Sequence, residues 1–338
     1  MHKIVLFYLA LILITACGKR NEPDVSQIKV DLQLQRFEKD FFAIDTAHIN
    51  SSMQALNQKH PGFVQDFVFN ILALPAQPDS SAAVENGIRS FISSYQSVKD
   101  TADKIFKNFQ PIEAEVKKGL QHVKYYFPGY KLPVKLVTFI GPINSYANII
   151  TADALAVGLQ LYLGKNYPLY QSEAGQQLYP LYISRRFEPQ YIPVSAIKNI
   201  VDDMYPDNSA GRPLIEQMIE TGKRLYLLDR LMPETADTLI TGYTKAQLEG
   251  SYNNEALIWT FFLQNDLLFT NDPAITKDYM SDGPKTAVLG EASPGFIGQF
   301  VGWQIVKKWM DKNEKTSPEQ LMATDPKIIF EQAKYKPR

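Results

Sequence analysis

The residues with the most suggestive chemistry and spacing lie in the stretch Tyr191–Pro233. This stretch predicts two consecutive helices joined by a polar turn. Each helix opens on a proline, which needs no amide hydrogen in a first helical turn. The first helix carries Lys198, Asn199 and Asp202, and the second carries Glu220. Residues four apart lie on one helix face, so we expect Lys198 and Asp202 to form an ion pair.

A zinc hydrolase built on such a helix pair would need different residues. Zinc hydrolases of this kind carry H-E-x-x-H on the first helix, with two histidine ligands and a glutamate as general base. If Lys198 and Asp202 occupy the ligand positions, Asn199 stands where the base would be. An amide cannot take up a proton at neutral pH. The sequence therefore argues against peptidase chemistry at these positions.

The other candidate metal ligands are scattered along the chain. His48, His60 and His122 are too far apart to share one helix turn, and we interpret them as surface or packing residues. Asp203, together with the carboxylates of the helix pair, could in principle bind Ca²⁺ or Mg²⁺. The favoured interpretation of these carboxylates is solvated helix faces and capping charges. We therefore expect neither a metal nor a cofactor.

The N-terminus is typical of a bacterial lipoprotein signal peptide. His2 and Lys3 precede an apolar run, Ile4–Ile14, that is too short for a permanent transmembrane helix. The run leads through Thr15 and Ala16 into Cys17, the only cysteine of the chain. A lone cysteine excludes a disulfide, and at this position it is best explained as a lipid acceptor. The predicted segments are a signal peptide (1–16), a lipidated tether (17–26) and a single domain (27–338).

The charge balance argues against two classes of partner. Removing residues 1–16 takes away one of the 35 basic side chains, which leaves 34 against 36 acidic ones. Such a near-neutral surface argues against a nucleic-acid partner and against a polybasic membrane patch. The interior contains no linker-like run and no repeat, so one compact domain on a short tether is the expected organisation.

The order of strands and helices predicts the fold class. Alternating apolar residues predict a strand over Ile28–Leu34. Runs rich in β-branched and aromatic residues predict strands over Pro133–Ile140 and Ala147–Thr151. A fourth alternating run, Leu155–Leu163, follows a short turn, and the remaining segments are mostly helical. The expected fold is α+β and predominantly helical, with a small antiparallel or mixed sheet packed with many helices.

A late apolar helix contains a close-packing motif. Gly298 and Gly302 form G-x-x-x-G among aromatic and aliphatic residues. In a bilayer this motif favours helix dimerisation, but a following Lys-Lys pair makes the apolar run too short to span one. We therefore expect a helix buried in the protein, with its glycines packed closely against a neighbouring helix.

Arg185 and Arg186 lie within a tyrosine-rich segment. Arginine and aromatic side chains are enriched where proteins bind partners, so Arg185 and Arg186, with Tyr182 and Tyr191 beside them, form a candidate partner surface. The alternative is core packing with the hydroxyls at the rim, which we favour for the tyrosines as a group. The six tyrosines are Tyr162, Tyr167, Tyr170, Tyr179, Tyr182 and Tyr191.

Six motifs are spread over nearly the whole mature chain. They are RFEKDFF (Arg36–Phe42), SRRFEPQYIP (Ser184–Pro193), KNIVDDMYP (Lys198–Pro206), LIEQMIETGKRLYLLD (Leu214–Asp229), EASPGFIGQFVGWQIVKKWM (Glu291–Met310) and AKYKP (Ala333–Pro337). Each motif alone is unspecific, but their combination is specific. Together they resemble the gliding-motility lipoprotein GldB family of Bacteroidetes.

The resemblance implies a fold and a loss of chemistry. The family is similar in layout to HExxH-type zinc peptidase-like domains, which also have a late helix rich in glycine and aromatic residues. Glu220 falls near the third metal ligand of that group, whereas Lys198, Asn199 and Asp202 replace its motif. The resemblance therefore implies a degenerate zincin-like peptidase fold that has lost its metal, a pseudo-peptidase and not an enzyme.

The resemblance also implies a role in the cell envelope. It implies a non-enzymatic scaffold of the gliding-motility apparatus, whose components overlap with type IX secretion. The expected partners are other envelope proteins of these systems and, through the lipid on Cys17, a membrane, with the domain facing the periplasm. The inner and the outer membrane both stay open. The expected partner surface is the former active-site cleft around Arg185, Arg186, Lys198, Asp202 and Glu220. A metal-dependent hydrolase with a carboxylate site and a sugar- or peptidoglycan-binding lipoprotein are the alternatives.

Overall fold

The computed structural model describes residues 22–77 and 81–337. The predicted signal peptide and Cys17 lie outside the described residues. Within them, no helix is both long and apolar enough to cross a membrane.

The packed part of the chain starts slightly before the predicted boundary at residue 27. Val25 is already buried, and its carbonyl accepts a hydrogen bond from the Ile28 amide. Gln121 Nε2 donates to the Ile28 carbonyl at 2.8 Å, which holds this segment against a helix.

A four-stranded mixed sheet forms the β part of the fold. The strands are β1 (Gln33–Arg36), β2 (Lys135–Phe139), β3 (Asn148–Ile150) and β4 (Ala154–Gly158), in the spatial order β1-β2-β4-β3. β2 pairs in parallel with β1 and β4, and β3 pairs antiparallel with β4. β1 starts later than the predicted strand Ile28–Leu34, because its partner β2 begins at Lys135, opposite Gln33.

The strand predicted over Leu155–Leu163 is shorter than expected. β4 ends at Gly158, and Leu159–Leu161 form a 3-10 turn. The buried Gln160 side chain closes this end, because its amide donates to the Tyr146 carbonyl at 3.0 Å. All residues of β4 are buried, so its alternating sequence does not separate an inner from an outer face.

Phenylalanines join the first helices to the sheet. These helices are α1 (Phe37–Phe42), α2 (Ile49–Lys59), α3 (Phe63–Gln65), followed by a π-helical segment (Asp66–Ile71), α4 (Ser81–Ile105) and α5 (Gln110–Tyr126). The rings of Phe37 and Phe63 are 4.9 Å apart and meet edge to face, as aromatic pairs prefer. Phe139 of β2 lies 6.0 Å from Phe63, so the cluster includes the sheet.

The motif at the start of α1 has a structural role. Arg36 Nε donates to Glu38 Oε1 at 2.6 Å, and Arg36 Nη1 donates to the Phe106 carbonyl at 2.9 Å. Thr138 Oγ1 of β2 donates to Glu38 Oε2 at 2.5 Å. Burial raises the pKa of Glu38, and Arg36 and Thr138 oppose this shift. This buried network fixes α1 to β2 and to the turn after α4.

The second half of the chain is almost entirely helical. Its helices are α6 (Pro168–Gln171), α7 (Glu173–Leu178), α8 (Leu181–Ser184), α9 (Ile192–Met204), α10 (Leu214–Leu231), α11 (Asp237–Thr241), α12 (Lys245–Asn253), α13 (Glu255–Gln264), α14 (Pro273–Met280), α15 (Ile297–Lys312), α16 (Pro318–Ala323) and α17 (Pro326–Ala333). The described residues thus hold seventeen α-helices beside one small mixed sheet. This confirms the predominantly helical α+β class.

α10 contributes to two hydrophobic clusters. The first cluster surrounds the sheet and α9 and includes Leu225 and Leu228 of α10. The second includes Leu214 and Met218 of α10 together with residues of α13, α15 and α17. Tyr226 packs against both clusters. The single domain over residues 27–338 stays a prediction.

α10 and α15 cross at a contact between glycines. A Cβ atom on Gly302 would lie 1.7 Å from the Met218 carbonyl oxygen, and one on Gly222 would lie 2.2 Å from the Gly302 carbonyl carbon. One turn earlier, a Cβ on Gly298 would lie 2.9 Å from the Tyr279 carbonyl oxygen. The prediction of a buried helix with closely packed glycines is confirmed. The glycine that faces Gly302 across this contact is Gly222 of α10, which is the second helix of the predicted pair.

The crossing predicts a large cost for one added methyl group. Gly302→Ala should lower the free energy of unfolding by about 3 kcal/mol, because the two backbones would have to move apart. Gly250→Ala in α12 is the matched control, since its nearest neighbour would be 3.9 Å away. Alanine there should be neutral or stabilise by up to about 1 kcal/mol. Urea unfolding of the two variants measures the difference, and equal midpoints would contradict the backbone contact.

Candidate functional site

The predicted helix pair is present as α9 and α10. Pro193 lies in the first turn of α9 as expected, and Pro213 directly precedes α10. α9 is amphipathic: Ile197 and Ile200 are fully buried, whereas Lys198 is exposed. α10 is buried over most of its length. The polar residues of the two helices therefore lie in very different surroundings.

Lys198 and Asp202 form the expected ion pair. Lys198 Nζ donates to Asp202 Oδ2 at 2.5 Å, and the two side chains are 58% and 43% exposed. An exposed pair of this kind contributes about 0–1 kcal/mol, because water screens it and two long side chains lose freedom. Asn199 follows Lys198 on a half-buried position. Positions 198, 199 and 202 thus carry a solvated ion pair and an amide.

Glu220 belongs to a separate, mostly buried network. Its Oε1 accepts a hydrogen bond from Lys223 Nζ at 2.9 Å, and Arg212 Nη1 lies 3.9 Å away. Lys223 is 2% exposed and also donates to the carbonyls of Met322 and Thr324. Glu220 and Lys223 therefore tie α10 to the connection between α16 and α17.

Arg185, Arg186, Tyr191 and Lys198 line one cavity of about 350 Å³, which we call the arginine cleft. It lies between α9, α10, α11 and the loop of residues 281–296. Asp282 is the one acidic residue of its lining. Other lining residues are Ala147, Leu161, Tyr162, Ile183, Phe187, Val194, Ser195, Leu225, Leu228, Leu239, Ile240, Thr241, Gly242, Tyr243, Gly283, Gly295, Phe296 and Gln299. The predicted residues outside the lining are Tyr182, Asn199, Asp202 and Glu220.

The two arginines of the cleft are held in different ways. Arg186 Nη2 donates to Asp282 Oδ2 in an ion pair. Arg185 instead donates to two backbone carbonyls, from Nε to Tyr182 at 3.0 Å and from Nη2 to Gly242 at 2.9 Å. Gly242 ends α11 with φ +71°, a left-handed conformation that favours glycine. Arg185 is thereby fixed by the main chain.

Burial shifts the pKa values of several side chains in the cleft. Burial, and next the neighbouring charge of Arg186, lower the pKa of Arg185. Burial raises the pKa of Tyr191, and the two arginines oppose that shift. Burial also raises the pKa of Tyr243, whose hydroxyl donates to the Phe296 carbonyl at 2.9 Å. Both tyrosines are therefore neutral at physiological pH, and they act as hydrogen-bonding and not as charged groups.

The tyrosines of the tyrosine-rich segment are divided between core packing and the lining of the arginine cleft. Tyr170 is buried, and its hydroxyl donates to the Gln160 carbonyl at 2.6 Å. The rings of Tyr167 and Tyr170 meet at 5.2 Å, and Tyr179 packs on Phe187 at 5.0 Å. These contacts are core packing, as we favoured for the group. Tyr162 and Tyr191 line the arginine cleft.

Part of the cleft lining comes from residues that the sequence did not mark as a candidate site. These residues are Tyr243, Phe296 and Gln299, and the Gln299 side chain donates to the Thr241 carbonyl at 3.0 Å. Phe296 has φ +58° at the start of α15. The sequence predicted the late helix that becomes α15, but not that its start lines the same cavity as Arg185.

A second cavity of about 500 Å³ lies beside the arginine cleft. We call it the proline pocket, because Pro189, Pro193 and Pro233 contribute to its lining. Val194 and Leu239 line both cavities, so these two side chains stand between them. The ion pair between Lys118 and Glu234, 2.6 Å long, lies at the pocket.

The histidines have the predicted structural surroundings. His48 is exposed and lies 2.8 Å from Asp45. His60 is buried between Gln35 and Asp40, and His122 is buried, with Nδ1 3.0 Å from the Lys118 carbonyl. Among the described residues, no group of three or more His, Cys, Asp or Glu side chains could hold a metal ion.

The fold and the site define a predominantly helical α+β protein with a partly apolar, arginine-lined cleft. The family model described as gliding motility protein GldB matches residues 18–337. The chain therefore belongs to this family, as the six motifs indicated, and it is a gliding-motility protein. Neither the curated proteins nor the solved structures contain a match. The resemblance to zinc peptidase-like domains stays a prediction.

The two charge networks of the helix pair should differ in their effect on stability. Lys223→Met should lower the free energy of unfolding by about 3 kcal/mol, because it leaves Glu220 and two carbonyls without a buried partner. Lys198→Met should cost less than about 1 kcal/mol, because its ion pair is exposed. Urea unfolding measures both values, and equal losses would contradict this division of roles.

Proposed function

We propose that this gliding-motility protein acts without catalysis, as a lipid-anchored component of the cell envelope that binds a partner in the arginine cleft. The ion pair between Lys198 and Asp202 carries this proposal. It occupies the positions at which a zinc peptidase would hold its ligands, and Asn199 stands at the position of the base. The neighbouring cleft offers space, apolar walls and positive charge for binding.

The lining of the cleft supports a binding role. Aromatic and aliphatic walls with a few polar groups are typical of sites that bind a ligand or a partner segment. Tyr191 and Arg185 belong to the residue types that dominate partner binding in such sites. The partner in this proposal is another envelope protein of the gliding-motility or type IX secretion machinery. A nucleic acid is not proposed, because the chain is nearly neutral.

The anchor in this proposal is a lipid on Cys17. The apolar run before this residue is too short for a permanent membrane span, and Cys17 is the only cysteine in the chain. The family match begins at residue 18, directly after it. More than one acyl chain at this position would give lasting attachment. The domain would then face the periplasm at the surface of one of the two membranes.

Reversing one charge at the cleft should abolish gliding. Lys198→Glu places a carboxylate beside Asp202, and the exposed position lets the chain fold normally. We expect loss of colony spreading at an unchanged protein level. The matched control is Lys245→Glu on α12, because Lys245 also belongs to an exposed ion pair between residues four apart.

The two strains are compared for colony spreading, single-cell gliding and protein amount by immunoblot. Normal gliding of the Lys198→Glu strain at normal protein level would remove the cleft from the proposal. Loss of gliding in both strains would show only that surface charge matters.

Removing the lipid acceptor should release the protein from the membrane. Cys17→Ser keeps the size of the side chain but offers no thiol for acylation. The variant should move from the membrane pellet to the soluble or secreted fraction and should incorporate no labelled palmitate. Gly18→Ala, which leaves the cysteine in place, should remain with the membrane. A Cys17→Ser protein that still sediments with membranes would contradict the anchor.

A further inference from the structure

The charges at the arginine cleft leave one cation without a carboxylate partner. The cleft contains three basic side chains, Arg185, Arg186 and Lys198. Arg186 is paired with Asp282, and Lys198 is paired with Asp202. In the described part of the chain, no carboxylate lies within ion-pairing distance of Arg185. One unit of positive charge is therefore left for a ligand.

Arg185 is arranged to receive an anion. Its two hydrogen bonds to main-chain carbonyls fix the guanidinium plane. The other three of its five N–H groups have no hydrogen-bond partner among the described residues. A fixed guanidinium offers a fork of N–H groups that matches the two oxygens of a carboxylate. Burial and the charge of Arg186 disfavour this cation, as its lowered pKa shows. A bound anion would offset both effects, because a nearby opposite charge favours the charged form of the guanidinium.

The proline pocket extends the site with apolar volume. It adjoins the arginine cleft, because Val194 and Leu239 line both cavities. Ile112, Leu231 and Met232 contribute to its lining. An extended segment that places one group at Arg185 can therefore lay neighbouring aliphatic side chains in the pocket.

We propose that the arginine cleft binds a carboxylate group of a peptide segment at Arg185, with aliphatic residues next to it in the proline pocket. This inference rests on the proposed function and names the chemistry of the partner. A carboxylate carries the single charge that Arg185 can neutralise. A phospholipid headgroup can also present a single negative charge, but its acyl chains stay in the bilayer and its polar groups do not fill an apolar pocket. The apolar lining of the proline pocket therefore favours a peptide over a lipid headgroup.

The experiment selects peptides on the full-length protein, purified in detergent. A library of random twelve-residue peptides, displayed with free C-termini, is selected on the wild-type protein and on Arg185→Met. The best peptides are then synthesised with each acidic side chain changed to its amide and, separately, with an amidated C-terminus. These two arms distinguish a side-chain carboxylate from a terminal one.

We expect the selected peptides to share a carboxylate beside aliphatic residues. Replacing that carboxylate by an amide, or Arg185 by Met, should weaken binding by about thirtyfold or more, because one partner of a shielded charge pair is lost. Asp282→Asn serves as a second variant, since it keeps Arg185 and frees Arg186. It should tighten the binding of peptides with two adjacent carboxylates.

Three outcomes would overturn the inference. They are the absence of any enriched peptide, enrichment that does not depend on a carboxylate, and affinities unchanged in both variants. Binding of anionic phospholipid vesicles that depends on Arg185, without peptide selection, would assign the site to a headgroup instead. In gliding cells, a photocrosslinking residue in place of Ser195, an uncharged residue of the cleft lining, separates a failure of the proposed function from a failure of this inference. A protein adduct without carboxylate selection keeps the proposed function and rejects the inference, whereas carboxylate selection without an adduct rejects the proposed function.

Discussion

The contact between the glycines of α10 and α15 sets the position of most of the helical half. Gly222 and Gly302 let two backbones approach to a distance that a single methyl group would prevent. α10 is thereby buried along most of its length and contributes to both hydrophobic clusters. Leu225 and Leu228 of the same helix form part of the arginine cleft. The shape of the cleft therefore depends on a helix whose position is fixed by this crossing.

Burial of α10 also explains why two similar charge pairs on neighbouring helices serve different purposes. The pair of Lys198 and Asp202 lies in water, where it contributes little to stability and leaves the lysine available at the cleft. The pair of Lys223 and Glu220 is shielded, so both groups need their partners and hold α10 to the end of α16. A resemblance to a metal site placed Glu220 with Lys198, but the structure gives each its own network.

The sequence predicted what depends on neighbouring residues and missed what depends on distant ones. Helical periodicity located α9 and α10, and the spacing of Gly298 and Gly302 indicated close helix packing. Both features are local patterns with one physical cause. The end of β4 depends on the inward-turned Gln160 side chain, and part of the cleft lining comes from Tyr243 and the loop after α14. Contacts between residues this far apart leave no mark in periodicity or spacing.

The short chain segment between Cys17 and the folded domain bears on how tightly the cleft would have to bind a partner. If Cys17 carries the proposed lipid, at most residues 17–24 separate that lipid from the packed chain, because Val25 is already buried. Fully extended, eight residues reach roughly 28 Å, about the thickness of a small domain. A partner at the same membrane would then meet the cleft at a high effective concentration, as linked binding modules do. Under these proposals, one carboxylate at Arg185 and a few aliphatic contacts would need to give only moderate affinity in free solution, because the shared membrane would supply the remainder.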